Sequence, residues 1–326
     1  MEENNLEELK KEYEEFEKKI QYAYNEMGEL RNKKTDEKVG KLDKKEYLLV
    51  CDYITKYIQY KILKDYNFIP MYVPSDNLSN FYIRRKDIPQ CEIYVSKNFQ
   101  IFKKCICIIQ GTGGVRAGLW ARSVCINDNL YLGSIIPYIE KFQKDFSIIV
   151  LNPNERFDKK NKKIPEFQTM EDHCKYIYKN IIKTNLNIEE LYIIAHSMGG
   201  YCTIEILLEN EEDLLNGKIK KIAFTDSVHG DSYLKLSDKA QLKLKEITRD
   251  FIGSEKPLGE FIYSGDESGN GVDCYSSGNP KHEYTSGCAI EEVYKWIIGN
   301  EKKEDKTEKE DEKNNKKETK ENDSLK

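Results

Sequence analysis

Leu191-Tyr192-Ile193-Ile194-Ala195-His196-Ser197-Met198-Gly199-Gly200 is the stretch from which the rest of the chain is read. Its first half is an unbroken apolar, β-branched run, the pattern of a buried strand. The run stops on a serine set among small residues. Tyr201, Ile204, Leu207 and Leu208 then follow at helical spacing. Strand, sharp turn and helix are the context of the G-x-S-x-G nucleophile elbow, with Ala195 in place of the first glycine. Small residues are needed there because the turn is strained and the two elements pack closely. The bland alternative is an ordinary strand-to-helix turn. A serine in an elbow emerges at the carboxyl end of a parallel sheet, where ligands bind in open α/β folds.

Outward from this turn the chain alternates. Strands are expected over 71–73, 93–95, 105–109, 147–151, 191–195 and 221–225. Helical patterns over 135–144, 172–185 and 200–210 lie between the last four. The alternation predicts an α/β fold: a doubly wound, mostly parallel sheet with helices on both faces. Further helices fit 237–247 and 286–298, whereas 250–277 is rich in Gly and Ser and shows no clear period. Upstream, Leu6, Leu9, Tyr13, Phe16 and Ile20 form an apolar seam on a charged helix, which reads as docking on its own domain because the heptads are too few for a coiled coil. Residues 22–30 read as extended–turn–extended, and a long helix fits 44–64. The expected organisation is a charged amphipathic helix over 1–21, one α/β domain over 22–299 and a charged tail over 300–326.

Composition narrows the function classes. The 326 residues carry 52 Lys and Arg against 57 Asp and Glu, a net charge of −5, with no electrostatic footprint for nucleic acid. The segment 301–326 has Leu325 as its one apolar residue and is expected to be disordered. Nine scattered cysteines include no C-x-x-C pair, and there are four histidines, so no metal or other cofactor is expected. The cysteine usage fits a reducing intracellular compartment, nuclear or cytoplasmic. The charged 1–19 is no secretory signal, and no apolar run approaches a membrane span.

A serine hydroxyl becomes nucleophilic only when a base takes its proton, and the base needs a third group to orient it. α/β-hydrolases supply these in the chain order serine, acid, histidine. Ser197 comes first, Asp226 ends the next strand in Thr225-Asp226-Ser227-Val228-His229, and His282 precedes the last helix in Lys281-His282-Glu283-Tyr284-Thr285-Ser286. The rival bases are His229, on the same turn as Asp226; His196, expected to pack under the elbow; and His173, expected to be a surface or capping residue. Glu260, Asp266 and Asp273 stay open beside Asp226 as the acid. For the oxyanion, Gln110-Gly111-Thr112-Gly113-Gly114-Val115-Arg116 follows a strand and exposes backbone donors, so Gly111, Thr112, Gly113 and Met198 are expected to face the site with Arg116 in its pocket. The loop lacks the lysine and spacing of a phosphate-binding loop. Asn152-Pro153-Asn154-Glu155 ends the neighbouring strand, and Asn152 and Asn154 are expected to shape the same pocket. The expected substrate, where chemistry is retained, is a small ester or acyl compound.

These segments together carry a resemblance. The run from Gly111 through Arg116-Ala117-Gly118-Leu119-Trp120-Ala121-Arg122, the Leu151-Asn152-Pro153-Asn154-Glu155 segment, the elbow, the Asp226 turn and His282-Glu283-Tyr284-Thr285-Ser286 resemble the Argonaute-binding-protein-2-type domain, the domain of the animal cotranscriptional regulators called "family with sequence similarity 172". Tyr24-Asn25-Glu26-Met27-Gly28-Glu29-Leu30-Arg31 resembles the start of those proteins. The resemblance implies an α/β-hydrolase fold and a role in nuclear RNA silencing, heterochromatin or cotranscriptional regulation, with Argonaute or chromatin-associated proteins as partners. It sets the family's elbow serine on Ser197 and its histidine on His282. Where the family often has tyrosine after the serine, this chain has Met198, which still donates its backbone N–H. The Arg/Lys-rich insert that animal members carry after the Asn-Pro-Asn-Glu segment is reduced to a short loop over 156–165, so a role for that insert does not carry over. Two classes of function follow: a regulatory binding protein on a hydrolase scaffold, or a working serine hydrolase.

Overall fold

In the computed structural model, which describes residues 2–75 and 80–299, the charged start of the chain docks on the domain that follows. Helix α1 (Glu2–Lys19) leads through a hairpin, β1 (Tyr22–Tyr24) and β2 (Leu30–Asn32), to helix α2 (Lys44–Tyr66). Asp43 caps α2, accepting the Glu46 N–H at 2.8 Å while Glu46 takes the Asp43 N–H in return. The apolar seam of α1 meets α2: Leu9 is buried in one cluster with Tyr53 and Ile54, and Tyr13 stacks on Tyr60 with ring centroids 5.4 Å apart. The expected disorder of the tail concerns residues outside those described.

The sheet is then laid down by alternation. The chain runs through β3 (Phe68–Val73), β4 (Cys91–Ser96) and β5 (Lys104–Ile109), then three short helices, α3 (Arg122–Asn127), α4 (Leu130–Gly133) and α5 (Ile136–Phe142), to β6 (Ser147–Val150). Helix α6 (Met170–Ile177), extended by a π-helical turn over Tyr178–Ile182, returns to β7 (Glu190–His196). Next come α7 (Met198–Glu209), α8 (Glu211–Leu215), β8 (Ile219–Thr225), α9 (Asp238–Ile247), β9 (Thr248–Ile252), β10 (Phe261–Tyr263), α10 (Gly265–Ser268), β11 (Asp273–Ser276), α11 (Thr285–Cys288) and α12 (Ile290–Ile298). The strands form one nine-stranded sheet in the order β10-β11-β9-β8-β7-β5-β6-β4-β3. Every pairing from β6 across to β11 is parallel; the β3–β4 and β4–β6 pairings at one side and the β10–β11 pairing at the other are antiparallel.

Two cores cover the two faces, because successive side chains of a strand point to opposite sides. Ile106, Ile108 and Ile194 pack with α2, α5 and α12, while Cys105, Cys107, Ile109 and Ile193 pack with α6, α7 and α9. Parallel strands buried on both faces explain the unbroken apolar runs from which the strands were expected. The sheet order, the crossover helices and a serine at the carboxyl end of a central strand make this an α/β-hydrolase fold. The Gly- and Ser-rich 250–277 resolves into most of β9 and all of β10 and β11. Strand β9 follows α9 with no loop between them, and Arg249 and Asp250 break its apolar pattern. Among the described residues, no helix is long and apolar enough to cross a membrane.

Candidate active site at the carboxyl edge of the sheet

Strand β7 lies between β5 and β8, all parallel, so the three carboxyl ends open at one edge. Ser197 leaves β7 with φ 53° and ψ −124°, in the left-handed half of the map. Such a conformation costs a non-glycine residue about 1–3 kcal/mol and persists only where its surroundings hold it. They do: the Ser197 N–H donates to Thr225 O at 3.2 Å, and Ser197 O accepts from the N–H groups of Gly200 and Val228, each at 3.0 Å. A Cβ at Gly199 would lie 2.5 Å from the Ile109 carbonyl, so β5 and α7 approach closely only because that residue is glycine. On the other side a Cβ at Gly111 would sit 2.8 Å from Ser197 Cβ, which puts the backbone of the glycine loop directly against the serine.

Asp226 directly follows β8, also at positive φ (52°). Its Oδ2 meets His282 Nδ1 at 2.6 Å, and its Oδ1 accepts the Gly253 N–H at 3.3 Å. Burial pulls the Asp226 pKa up, but these bonds outweigh it and hold the carboxyl below its ordinary value. The bond to Asp226 likewise raises the His282 pKa above its ordinary value, against partial burial. A carboxylate accepts, so Nδ1 of His282 carries the proton and Nε2 is left with a lone pair, as a general base requires. The strand-end contacts anchor the turn that bears it: Thr225 Oγ1 and Ser286 Oγ are 2.7 Å apart, and Tyr138 donates to Ser286 O at 2.6 Å. The His282 ring lies 4.7 Å, centroid to centroid, from the ring of His196, the neighbour of Ser197. Among the described residues no hydrogen bond joins His282 Nε2 to Ser197 Oγ. Asp226 and His282 are therefore joined, and the contact from His282 to Ser197 is not made.

The other histidines are occupied. His196 is buried under the elbow and its Nδ1 donates to Thr225 O at 2.8 Å; burial lowers its pKa to about 4, which keeps it neutral beside His282. His229 donates from Nε2 to Asn270 O at 2.8 Å and takes the Ser227 hydroxyl on Nδ1 at 2.7 Å, so it braces the Asp226 turn. His173 is no surface residue: it is fully buried on α6, its pKa pushed down to about 3 by burial. Its Nε2 accepts the Asn152 N–H at 3.1 Å, so the helix start that looked exposed faces the β6 loop and positions it. Of the other acids, Glu260 pairs with Lys256 at 3.1 Å, Asp266 with Lys245 at 2.5 Å, and Asp273 accepts the Gly265 N–H at 3.1 Å.

The glycine loop is braced by the β6 loop. Asn154 Oδ1 accepts the Gly113 N–H at 3.2 Å and its Nδ2 donates to Gly111 O at 2.8 Å. Asn152 accepts the Ala117 N–H at 3.1 Å and donates to Glu92 O at 3.0 Å. The Gly113 N–H is thereby engaged, whereas those of Gly111, Thr112 and Gly114 have no partner among the described residues. Met198 opens α7, so its N–H has no acceptor within the helix.

Two buried groups near the site escaped the sequence. Asp250, on β9, is fully buried and takes the Ser227 N–H on both oxygens at 3.2–3.3 Å; burial pushes its pKa up to about 7. Gln110, beside Gly111, is 1% exposed and neither amide atom has a partner among the described residues. Asp250 lies in the Gly- and Ser-rich segment that showed no clear period, so nothing along the chain marked it.

The chain matches the family model described as the Arb2 domain over residues 13–161 and 155–258. A relative from Dictyostelium discoideum called "Cotranscriptional regulator ARB2A homolog" is 33% identical over 326 residues, covering 88% of this chain and 80% of that protein. The Homo sapiens "Cotranscriptional regulator ARB2A" is 26% identical, covering 85% and 79%. Among solved structures, "A histone deacetylase from Saccharomyces cerevisiae" is similar with a TM-score of 0.47 and 15% identity, covering 78% of this chain and 98% of that one.

Proposed function

We propose, from the premise that this chain belongs to the Arb2 domain family, that it is a regulatory protein on an α/β-hydrolase scaffold, acting in cotranscriptional regulation, RNA silencing or heterochromatin in the nucleus. The observation that carries this reading is the likeness to relatives named cotranscriptional regulators over 80% and 79% of their lengths. The family match takes in the glycine loop, the elbow and Asp226. The partners on this reading are Argonaute or chromatin-associated proteins, and the net charge of −5 directs it to proteins rather than to naked nucleic acid. Affinity purification from nuclear extract followed by mass spectrometry should enrich such a protein. Purely cytosolic chain with none enriched, or tight salt-sensitive binding to bare RNA, contradicts the reading.

A second reading, a serine hydrolase, is favoured by the strained Ser197 and by the 2.6 Å bond between Asp226 and His282. Here Ser197 Oγ attacks a carbonyl carbon as His282 Nε2 takes its proton, and Asp226 orients the imidazole. N–H groups of Gly111 or Thr112 and of Met198 hold the oxyanion. His282 then protonates the leaving group, and water releases the acyl group by the same route. His282 must first close on Ser197, a contact that tightens with substrate in many hydrolases. A fluorophosphonate probe should label the chain and fail on Ser197→Ala; no labelling of the wild type leaves the scaffold a recognition module.

A further inference from the structure

A cavity of about 610 Å³ lies beside the glycine loop, between α1, α2 and β4. We infer that it binds an anionic group, a carboxylate or phosphate carried by the ligand, between Arg116 and Arg122. The inference rests on the reading that a ligand occupies this edge of the sheet, whether or not Ser197 reacts with it.

The cavity is lined by five cations, and three of them are neutralised in place. Lys56 pairs with Glu12 at 2.7 Å; Lys159 bonds Glu12 and lies 3.8 Å from Glu92; Arg84 bonds Glu92 and lies 3.1 Å from Glu8. Arg116 and Arg122 differ. Among the described residues neither meets a carboxylate oxygen within 4.0 Å, and the one hydrogen bond of Arg116 runs to the carbonyl of Val115 at 3.0 Å. Both are half-buried. A guanidinium partly withdrawn from water with no carboxylate in contact is unfavourable, and its planar fork matches a carboxylate or phosphate.

The loop is shaped to the same end. Arg122 lies so close to Gly114 that any Cβ there would collide with its guanidinium, so the glycine is the cradle in which the arginine rests. The N–H groups of Gly111, Thr112 and Gly114 are unpartnered beside it. Gly111 touches Ser197, so the anion site opens three residues from the elbow. The acids whose charge reaches Arg116 are Asp52 and Glu155. Partial burial raises the pKa of Asp52, and burial together with Glu92 raises that of Glu155; among the described residues neither carboxylate touches either guanidinium. The charge of Asp52 acts on Arg122 as well.

Isothermal titration of the full chain at constant ionic strength, with inorganic phosphate in one arm and succinate in the other, tests this and separates the two anions. Saturable binding of at least one is expected. Arg116→Gln and Arg122→Gln should each weaken it about tenfold or more, the worth of a charged hydrogen bond. Asp52→Asn should tighten it, while Lys220→Gln, on the far surface, should leave it unchanged. No saturable binding of either anion, binding that survives in the double arginine variant, or equal loss in Lys220→Gln overturns the inference. Where an arginine variant loses its fold by circular dichroism, Asp52→Asn decides: unchanged affinity overturns it. Fluorophosphonate labelling of the same preparation separates this from the hydrolase reading. Labelling without anion binding removes the anion site and keeps the enzyme; anion binding without labelling does the reverse.

Discussion

The elbow and the glycine loop meet at Ser197 but are held by opposite means. The elbow is held by backbone: a serine at φ 53° is tied by three main-chain hydrogen bonds, beneath which His196 is buried and neutral. The glycine loop is held by side chains, with Asn154 clasping Gly111 and Gly113, and Arg122 resting on Gly114. The first arrangement cannot shift without breaking the sheet edge. The second leaves donors and guanidinium groups facing open space, as a surface that meets varied ligands would. Backbone-held placement of Ser197 beside a loop held by side chains is what the α/β-hydrolase scaffold offers here.

The comparison breaks most sharply at the reacting groups. If the chain turns over esters, Ser197→Ala and His282→Ala should each lose about 10³-fold or more, and the double variant should be little worse than either, because such groups act as a unit. Asp226→Asn should cost less. His282 accepts a proton only when neutral and its pKa is raised, so turnover should climb with pH through a value above 6.5; Asp226→Asn should move that inflection down. Unchanged turnover in Ser197→Ala places the chemistry elsewhere. Assays with p-nitrophenyl esters across pH 5–9 read all three.

Next in size is Asp250, under the elbow's neighbour. Its pKa rises from 3.8 unfolded to about 7 folded, so the folded chain holds the proton longer. The stability this group contributes is full below pH 4 and is lost as pH climbs to 7, by an amount of order 4 kcal/mol at most. Asp250→Asn should flatten that slope in urea unfolding at pH 5 and pH 8; an unaltered slope shows the group ionised throughout.

Gly199→Ala tests the backbone-held side. A methyl 2.5 Å from a carbonyl oxygen must push α7 off β5, at a cost of about 1–3 kcal/mol in denaturant unfolding. A variant as stable as the parent shows that the contact yields. The side-chain-held side should respond more gently. Asn154→Ala removes two hydrogen bonds from the loop and should cost about 1–2 kcal/mol, with weaker ligand binding and an intact elbow. Identical binding shows that the loop holds its shape without the brace.

Much of this was legible along the chain. The runs at 105–109, 147–151, 191–195 and 221–225 are apolar because parallel strands bury both faces, so periodicity alone located the central sheet. Small residues at 195, 199 and 200 marked the elbow, since strand and helix can touch there only without bulk. The order of Ser197, Asp226 and His282 supplied the pair that meets at 2.6 Å. His173 was misread because a polar residue at a helix start has the same sequence signature whether it faces water or a buried loop. Strands β9, β10 and β11 were missed because they are short and glycine-flanked, and because β9 is stabilised by β8 and β11, which lie well away from it along the chain.

By itself, then, the sequence determined what depends on local pattern: the central strands and their crossover helices, where the chain turns sharply on a serine, and the order in which Ser197, Asp226 and His282 follow. Tertiary structure alone decided what depends on meeting: that Asp250 is sealed beside Asp226, that Asn154 takes the Gly113 N–H, and that Arg116 and Arg122 face a cavity with no carboxylate in contact while Arg84, Lys56 and Lys159 are paired. Charge pairing and burial are properties of distance in space, and residues far apart along the chain acquire them only when the sheet brings them to one edge.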